Sequence, residues 1–206
     1  MNDVLEYLDS LYPDAKCELI YHKDYELLIA VMLSAQTTDK RVNKVTSVLF
    51  NKYDSLEKLA NANLDDISNI VRELGNYTKK SKAIIDISKS LLKYYNGIVP
   101  NNRTYLESLP MVGRKTTNVV LANLFNIPNI AVDTHVSRVS KRLGLAKEKD
   151  DVIKIEKKLK KYFPKETWIK VHHQLVLFGR YKCKAIKPEC LNCKFINICK
   201  YKKKNN

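Results

Sequence analysis

The sequence predicts an all-α fold, and three observations carry that expectation. Apolar residues recur at helical spacing, helix breakers fall between the periodic segments, and no segment shows the strict alternation of a half-buried strand. In chain order, Leu27, Leu28, Val31 and Met32 follow Asp24, read as a cap, and Val42, Val45, Val48 and Leu49 follow Asp39. Ala83, Ile84, Ile87 and Leu91 lie in a long segment after Thr78. Val132, Val136, Val139 and Leu143, then Ile155, Leu159 and Phe163, repeat the pattern. Each segment reads as an amphipathic helix. Gly75, Gly97, Gly113, Gly144 and Gly179 read as segment edges, as do Pro13, Pro100, Pro110, Pro128, Pro164 and Pro188. About ten short helices follow from this punctuation. There is no long linker and no fixed-period repeat, and the one low-complexity stretch is the Lys202-Lys203-Lys204 tail.

Composition narrows the class. A chain of 206 residues can build one sizeable core or two small ones. No apolar run approaches the roughly 18–20 residues of a membrane span, and the first residues, Met1 to Glu6, carry acids where a secretory signal has a basic region. A soluble, intracellular, cytoplasmic protein without a membrane partner is expected. In that reducing setting five cysteines argue for metal or cluster ligation, or free thiols, over disulfides. The net charge of +15 is unevenly spread: residues 147–206 hold 18 Lys/Arg against 6 Asp/Glu, and the rest is nearly balanced. A basic C-terminal third points to a polyanion, nucleic acid above all, although a solvated lysine-rich surface would look the same.

Two motifs carry chemistry. The string Leu106-Glu107-Ser108-Leu109-Pro110-Met111-Val112-Gly113-Arg114-Lys115-Thr116-Thr117 reads as a helix ending before Pro110, a tight turn, and a second helix starting at or just after Gly113. The first backbone N–H groups of that second helix would face outward with the positive end of its dipole, a phosphate site that positions DNA without reading sequence. Lys115 falls in the first turn, where the dipole disfavours an ammonium ion, and partial burial in a cleft would favour the neutral amine further. The second motif is Cys183, Cys190, Cys193 and Cys199, spaced C-x6-C-x2-C-x5-C. Four thiolates within 17 residues suit a [4Fe–4S] cluster or a structural zinc, although zinc sites commonly show two close pairs and only one C-x2-C exists here. Cys17 has no nearby partner and reads as a buried thiol. His172 and His173 read as packing or polar-network residues.

In its hairpin string, together with Leu33-Ser34-Ala35-Gln36-Thr37-Thr38-Asp39, Ala131-Val132-Asp133-Thr134-His135-Val136-Ser137-Arg138-Val139, His172-His173, Gly179-Arg180 and the cysteine loop, the chain resembles the endonuclease III family of DNA glycosylases. The resemblance covers nearly the whole sequence. It implies two helical domains flanking a DNA-binding cleft: a six-helix barrel over 17–127, with a helix-hairpin-helix at about 103–125, and an iron–sulfur domain made of 1–16 and 128–206, its cluster loop at 183–199. It implies excision of oxidised pyrimidines from duplex DNA through a lysine Schiff base, followed by β-elimination at the abasic site. Lys115 would be the nucleophile. Asp133 would be the second catalytic residue, stabilising positive charge on the sugar, although a helix N-cap is the plainer reading of its position. The four cysteines would hold one [4Fe–4S] cluster per chain.

The same resemblance names contacts to double-stranded DNA that carries damaged bases or abasic sites. Such a base has to leave the stack to be reached. Gln36, read on the helix of Leu33-Ser34-Ala35-Gln36, and Asn76 would occupy the space it vacates, although Gln36 could equally be a helix surface residue. Val112, Gly113 and Arg114 would meet the backbone from the hairpin, and Lys184, Lys187 and Lys194 would meet phosphates from the cysteine loop. A monomer is implied. Three positions depart from the family pattern: Met111 in place of the first hairpin glycine, Thr117 in place of alanine, and Asn76 in place of a bulkier wedge. Adenine-mismatch relatives lack the lysine and carry a further domain, 8-oxoguanine relatives lack the four cysteines, and a non-catalytic DNA-binding module would not need both Lys115 and Asp133.

Overall fold

The structure, a computed structural model, describes residues 2–201, so the Lys202-Lys203-Lys204 tail lies outside the described residues. Among these are eleven α-helices and no strand. The all-α expectation holds. Contacts divide the chain into two compact units, Glu18–Phe125 and Met1–Cys17 with Asn126–Asn206.

The unit Glu18–Phe125 contains α2 (Asp24–Leu33), α3 (Asp39–Lys52), α4 (Leu56–Ala60), α5 (Leu64–Val71), a 3-10 turn (Arg72–Leu74), α6 (Tyr77–Tyr95), α7 (Arg103–Ser108) and α8 (Arg114–Phe125). Its axis is α2. Every residue from Tyr25 to Leu33 is buried, and the helix packs on α3, α6 and α8. The amphipathic stripe expected of this segment is therefore absent, because a helix surrounded by others is apolar on all faces. Its one buried acid, Glu26, is satisfied locally: Oε2 accepts from the His22 N–H at 2.7 Å and the Lys23 N–H at 3.2 Å.

The expected cap Asp24 stands one residue inside its helix, as does Asp39. Lys23 is the N-cap of α2, and Asp24 is its first helical residue. The Asp24 carboxylate accepts from the Val99 N–H at 2.6 Å, tying down the chain that follows α6. Thr38, not Asp39, caps α3 through a bond from the Arg41 N–H. An acid at the cap and an acid one residue inside are both favoured by the helix dipole, so sequence alone does not separate them.

The other unit contains α1 (Asn2–Leu11), α9 (Thr134–Arg142), α10 (Val152–Tyr162), a 3-10 turn (Lys165–Thr167), α11 (Trp168–Leu177) and one π-helical turn (Phe178–Lys182). The chain's first helix packs on α11, and α9 packs on α10, α11 and the π turn. Val4, Leu8, Val136, Val139, Ile155, Leu159, Leu175 and Phe178 form the core. Gly179 lies inside the π turn, where a segment edge was expected. A Cβ there would stand 2.8 Å from the His135 Cβ and 3.2 Å from the Val139 Cγ2. The glycine is needed for close packing against α9, not for breaking a helix. His172 and His173 are buried, with rings 4.9 Å apart. Burial, reinforced by its neighbour His172, pushes His173 down to about 3. The polar network runs through the next residue: Gln174 Nε2 donates to Asp9 Oδ1 at 2.7 Å and to the Tyr12 carbonyl at 3.2 Å.

Candidate active site and cysteine loop

The hairpin forms where Pro110 and Gly113 predict it, between the end of α7 at Ser108 and the start of α8 at Arg114. Val112 donates its N–H to the Leu109 carbonyl at 3.1 Å, closing the turn, and its side chain is buried. At the first hairpin position Met111 has φ +60 and an exposed side chain. Gly113 keeps ordinary negative φ, and a Cβ there would meet nothing within 4 Å. The protein itself leaves that spot open, so a side chain at 113 would matter only to something approaching from outside. The first backbone bond inside α8 is Thr117 N–H to the Gly113 carbonyl at 3.0 Å. Helix geometry gives the N–H groups before it no partner within the helix, which suits an anion. Arg114 and Lys115 occupy this first turn, and both are exposed. The partial burial expected of Lys115 is absent in the protein alone.

Asp133 is the N-cap of α9, with Oδ1 accepting the Val136 N–H at 2.8 Å, and it is half-buried. One carboxylate oxygen is thus committed to the helix. Lys115 and Asp133 belong to different units.

Gln36 and Asn76 both lie in exposed loops in the left-handed region, with φ of 60 and 49; Gln36 is not on the helix where it was expected, because α2 ends at Leu33. Asn76 precedes α6, and Gly75 beside it has φ +68. Sequence reasoning missed the residue that connects these loops. Lys80 on α6 is 1% exposed, and its Nζ donates to the carbonyls of Ala35 and Leu74, each at 2.9 Å. A usable signal was present: Lys80 stands three and four residues before Ala83 and Ile84, on the apolar stripe and not on the solvent face.

Cys183, Cys190, Cys193 and Cys199 line one cavity with apolar walls that include Leu143, Phe178, Pro188 and Phe195. Soft sulfur donors around one cavity match the thiolate ligation of an iron–sulfur cluster. Among the described residues no three His, Cys, Asp or Glu side chains close on a single-ion position. Burial pushes the Cys183 thiol up, while the hydrogen bond and charge of Arg142 oppose it; burial also pushes Cys193 up. Two arginines of α9, unnoticed in sequence, hold this loop. Arg138 donates to the Gly179 carbonyl at 2.6 Å and the Cys183 carbonyl at 3.2 Å; Arg142 donates to the Lys184 carbonyl at 2.7 Å. The loop lysines differ in their freedom. Lys184 pairs with Glu189 at 2.8 Å, Lys194 stands over the Tyr7 ring at 5.5 Å, and Lys187 is exposed at φ +49. Cys17 is half-buried and in no disulfide, more accessible than the buried thiol expected.

Residues 29–165 match the family model for HhH-GPD superfamily base excision DNA repair proteins. The chain is 45% identical to endonuclease III of Bacillus subtilis (strain 168), an alignment spanning 95% of this chain and 90% of the relative. It is also similar to the protein in the structure of a non-covalent endonuclease III–DNA complex, with a TM-score of 0.93 and 46% identity over 97% of this chain and 93% of that one. The protein in a trapped endonuclease III–DNA covalent intermediate matches with the same score, identity and coverage.

Proposed function

The chain belongs to the endonuclease III family of base excision DNA repair proteins, and on that premise we propose that it removes oxidised pyrimidines from duplex DNA with Lys115 as nucleophile and Asp133 as its catalytic partner. It is a DNA glycosylase and abasic-site lyase. The observation that carries the residue assignment is the place of Lys115 in the first turn of α8, directly behind the hairpin. A backbone phosphate held on the N–H groups of that turn brings the neighbouring sugar within reach of the lysine.

Attack needs the neutral amine. The Nζ lone pair attacks C1′, the C1′–N bond breaks, and the base leaves with the bonding electrons and takes up a proton. The Asp133 oxygen not used in capping stabilises the positive charge that develops on the sugar and accepts the proton that Lys115 releases. The sugar ring then opens: the nitrogen lone pair forms the C1′=N bond of a protonated Schiff base as the C1′–O4′ bond breaks and O4′ takes up a proton. That Schiff base acidifies the 2′ carbon, and loss of a proton there expels the 3′ phosphate. Exposure of Lys115 makes bound DNA the source of the dry, low-dielectric surroundings that favour these steps. Gln36 and Asn76 fill the space of the extruded base; Val112, Gly113 and Arg114 hold the backbone, joined by Lys187 and, once their present partners yield, Lys184 and Lys194. The enzyme acts as a monomer in the cytoplasm, with its two domains near residues 17–127 and 1–16 plus 128–206.

The four cysteines hold one [4Fe–4S] cluster. Four cysteines on the lining of one apolar cavity, with a single C-x2-C pair in their spacing, support this reading. With four protein ligands it supplies no open coordination position and acts as a pin for the loop.

The test is borohydride trapping on a thymine-glycol duplex. Wild-type protein forms a covalent adduct, and Lys115→Ala forms none while still binding DNA. Undiminished trapping by the alanine variant would remove Lys115 from the mechanism.

A further inference from the structure

We propose that Lys80 is a positioning residue for base extrusion: its buried side chain joins the loop carrying Gln36 to the loop carrying Asn76, so that the two enter the duplex as one rigid wedge. The proposal rests on the role given to Gln36 and Asn76 above.

Lys80 is among the largest fully buried side chains of the protein. A buried ammonium is expensive unless it is hydrogen-bonded, and on this stripe of α6 an apolar residue would pack without that cost. Burial pushes Lys80 down, with no acid opposing it among the described residues. What compensates is a pair of backbone carbonyls. Ala35 lies just past the end of α2, and Leu74 closes the 3-10 turn that follows α5. Both are helix C-termini, where final carbonyls lack partners and the dipole favours a cation. One nitrogen at 2.9 Å from both oxygens therefore links two helix ends.

The location gives the link its use. The Ala35 carbonyl sits immediately before Gln36, and the Leu74 carbonyl immediately before Gly75 and Asn76. Gln36 and Asn76 both adopt left-handed backbone, which asparagine tolerates but glutamine leaves unless its surroundings hold it. Both side chains are exposed. A two-loop wedge works only if the spacing of its tips does not yield as the base is displaced. Lys80 fixes that spacing from below.

The experiment uses the full-length, cluster-containing enzyme and two duplexes, one with thymine glycol paired to adenine and one with a preformed abasic site. The readout is the ratio of single-turnover excision on the first to borohydride trapping on the second. An abasic site has no base pair to break, so a wedge defect falls on the first alone. Lys80→Met, which keeps the apolar stem and removes the donors, should lower the ratio at least tenfold. An unchanged ratio overturns the proposal, including the case in which both rates fall together as for a purely structural lysine. The wedge is tested in parallel with Lys80 intact, should the methionine variant not fold. Gln36→Ala and Asn76→Ala should each lower the ratio, and the double variant should lose little more than the worse single one, because residues acting as a unit are not additive. Losses that multiply overturn the single wedge. Wild-type protein that neither excises nor traps would instead refute the functional reading itself.

Discussion

Arg142 donates from Nη1 to the Sγ of Cys183 at 3.4 Å and to the Lys184 carbonyl at 2.7 Å, while its guanidinium lies 3.9 Å from the Tyr201 ring centroid. One planar cation thus touches a cysteine sulfur, the backbone behind it and an aromatic face. Charge-assisted bonds of this kind are worth more than neutral ones, and a lysine could not reproduce the fork. Arg142→Met should leave helical circular dichroism intact while iron is lost from aerated protein at least tenfold faster, followed as decay of a broad absorbance near 400 nm. Equal decay in both proteins would show that the arginine does not guard the cysteine loop.

The cap that Asp133 provides and the catalytic role proposed for it can be separated by substitution. Its Oδ1 caps α9 through the Val136 N–H, and asparagine caps as well as aspartate. Asp133→Asn should therefore melt within a few degrees of wild type and bind lesion DNA at least as well, yet excise at least a hundredfold more slowly. Asp133→Ala should lose the cap too, at a further cost of about 1 kcal/mol. Wild-type excision by the asparagine variant would reduce Asp133 to a cap.

The hairpin was legible in the sequence because its determinants are local: Pro110 ends one helix, Gly113 precedes the next, and the lysine follows by register. The cysteine loop was legible because ligand spacing is a sequence property. Elements defined by tertiary surroundings were not. The helix Asp24–Leu33 looked amphipathic, since nothing in its ten residues says that neighbours cover every face. Gly179 looked like a breaker, since its contact with His135 lies more than forty positions away in sequence. Lys80 sits in Lys79-Lys80-Ser81-Lys82, which reads as a solvated face until the helical phase of Ala83 and Ile84 is weighed against the charge. Lys115 was expected to be partly buried in a cleft, and it is exposed, because the first turn of a helix behind a hairpin tip fixes position but not what covers it.

His173 makes stability depend on pH in a predictable direction. Its folded value is pushed down to about 3 by burial and by His172, against an ordinary 6.5, so the unfolded chain binds the proton first. The stabilisation is fully present above pH 6.5 and is lost as pH falls from 6.5 toward 3, at up to about 1.4 kcal/mol per pH unit. Between pH 6.5 and 5 the carboxylates held low by lysine partners, such as Asp9 and Asp150, do not yet contribute. Urea unfolding across that window should show falling stability, and His173→Phe should flatten the slope. An unchanged slope would assign it to other groups.

Thr117 is fully buried on α8, and its Oγ1 has no hydrogen-bond partner among the described residues. A buried hydroxyl left unpaired costs roughly 1–3 kcal/mol, whereas its shape is well packed. Valine keeps that shape and removes the oxygen. Thr117→Val should raise the melting temperature by about 2–4 °C for each kcal/mol recovered in a domain of this size. A lower melting temperature would reveal a partner for the hydroxyl, such as a bound water.

Met111 is the departure with consequences for DNA. It takes φ +60 at the hairpin position where glycine is usual, and a side chain there costs roughly 1–2 kcal/mol. Glycine would relieve that strain but loosen the unfolded chain by a comparable amount, so thermal stability is a poor readout. Binding is a better one. The methionine side chain is exposed at the tip of the turn, two residues before Gly113, where the protein leaves open space for an approaching phosphate. Two effects compete on the DNA side. The thioether could pack on a sugar and gain a little apolar contact, whereas its bulk displaces a backbone N–H bond to phosphate that tolerates only a few tenths of an ångström. The second effect dominates, because charge-assisted bonds fall off steeply with distance and angle while a flexible side chain on a solvated sugar buries little area. Met111→Gly should bind a non-cleavable abasic analogue several-fold more tightly at fixed salt, with single-turnover excision at saturating enzyme nearly unchanged. Weaker binding by the glycine variant would make Met111 a productive contact and overturn this account of the hairpin.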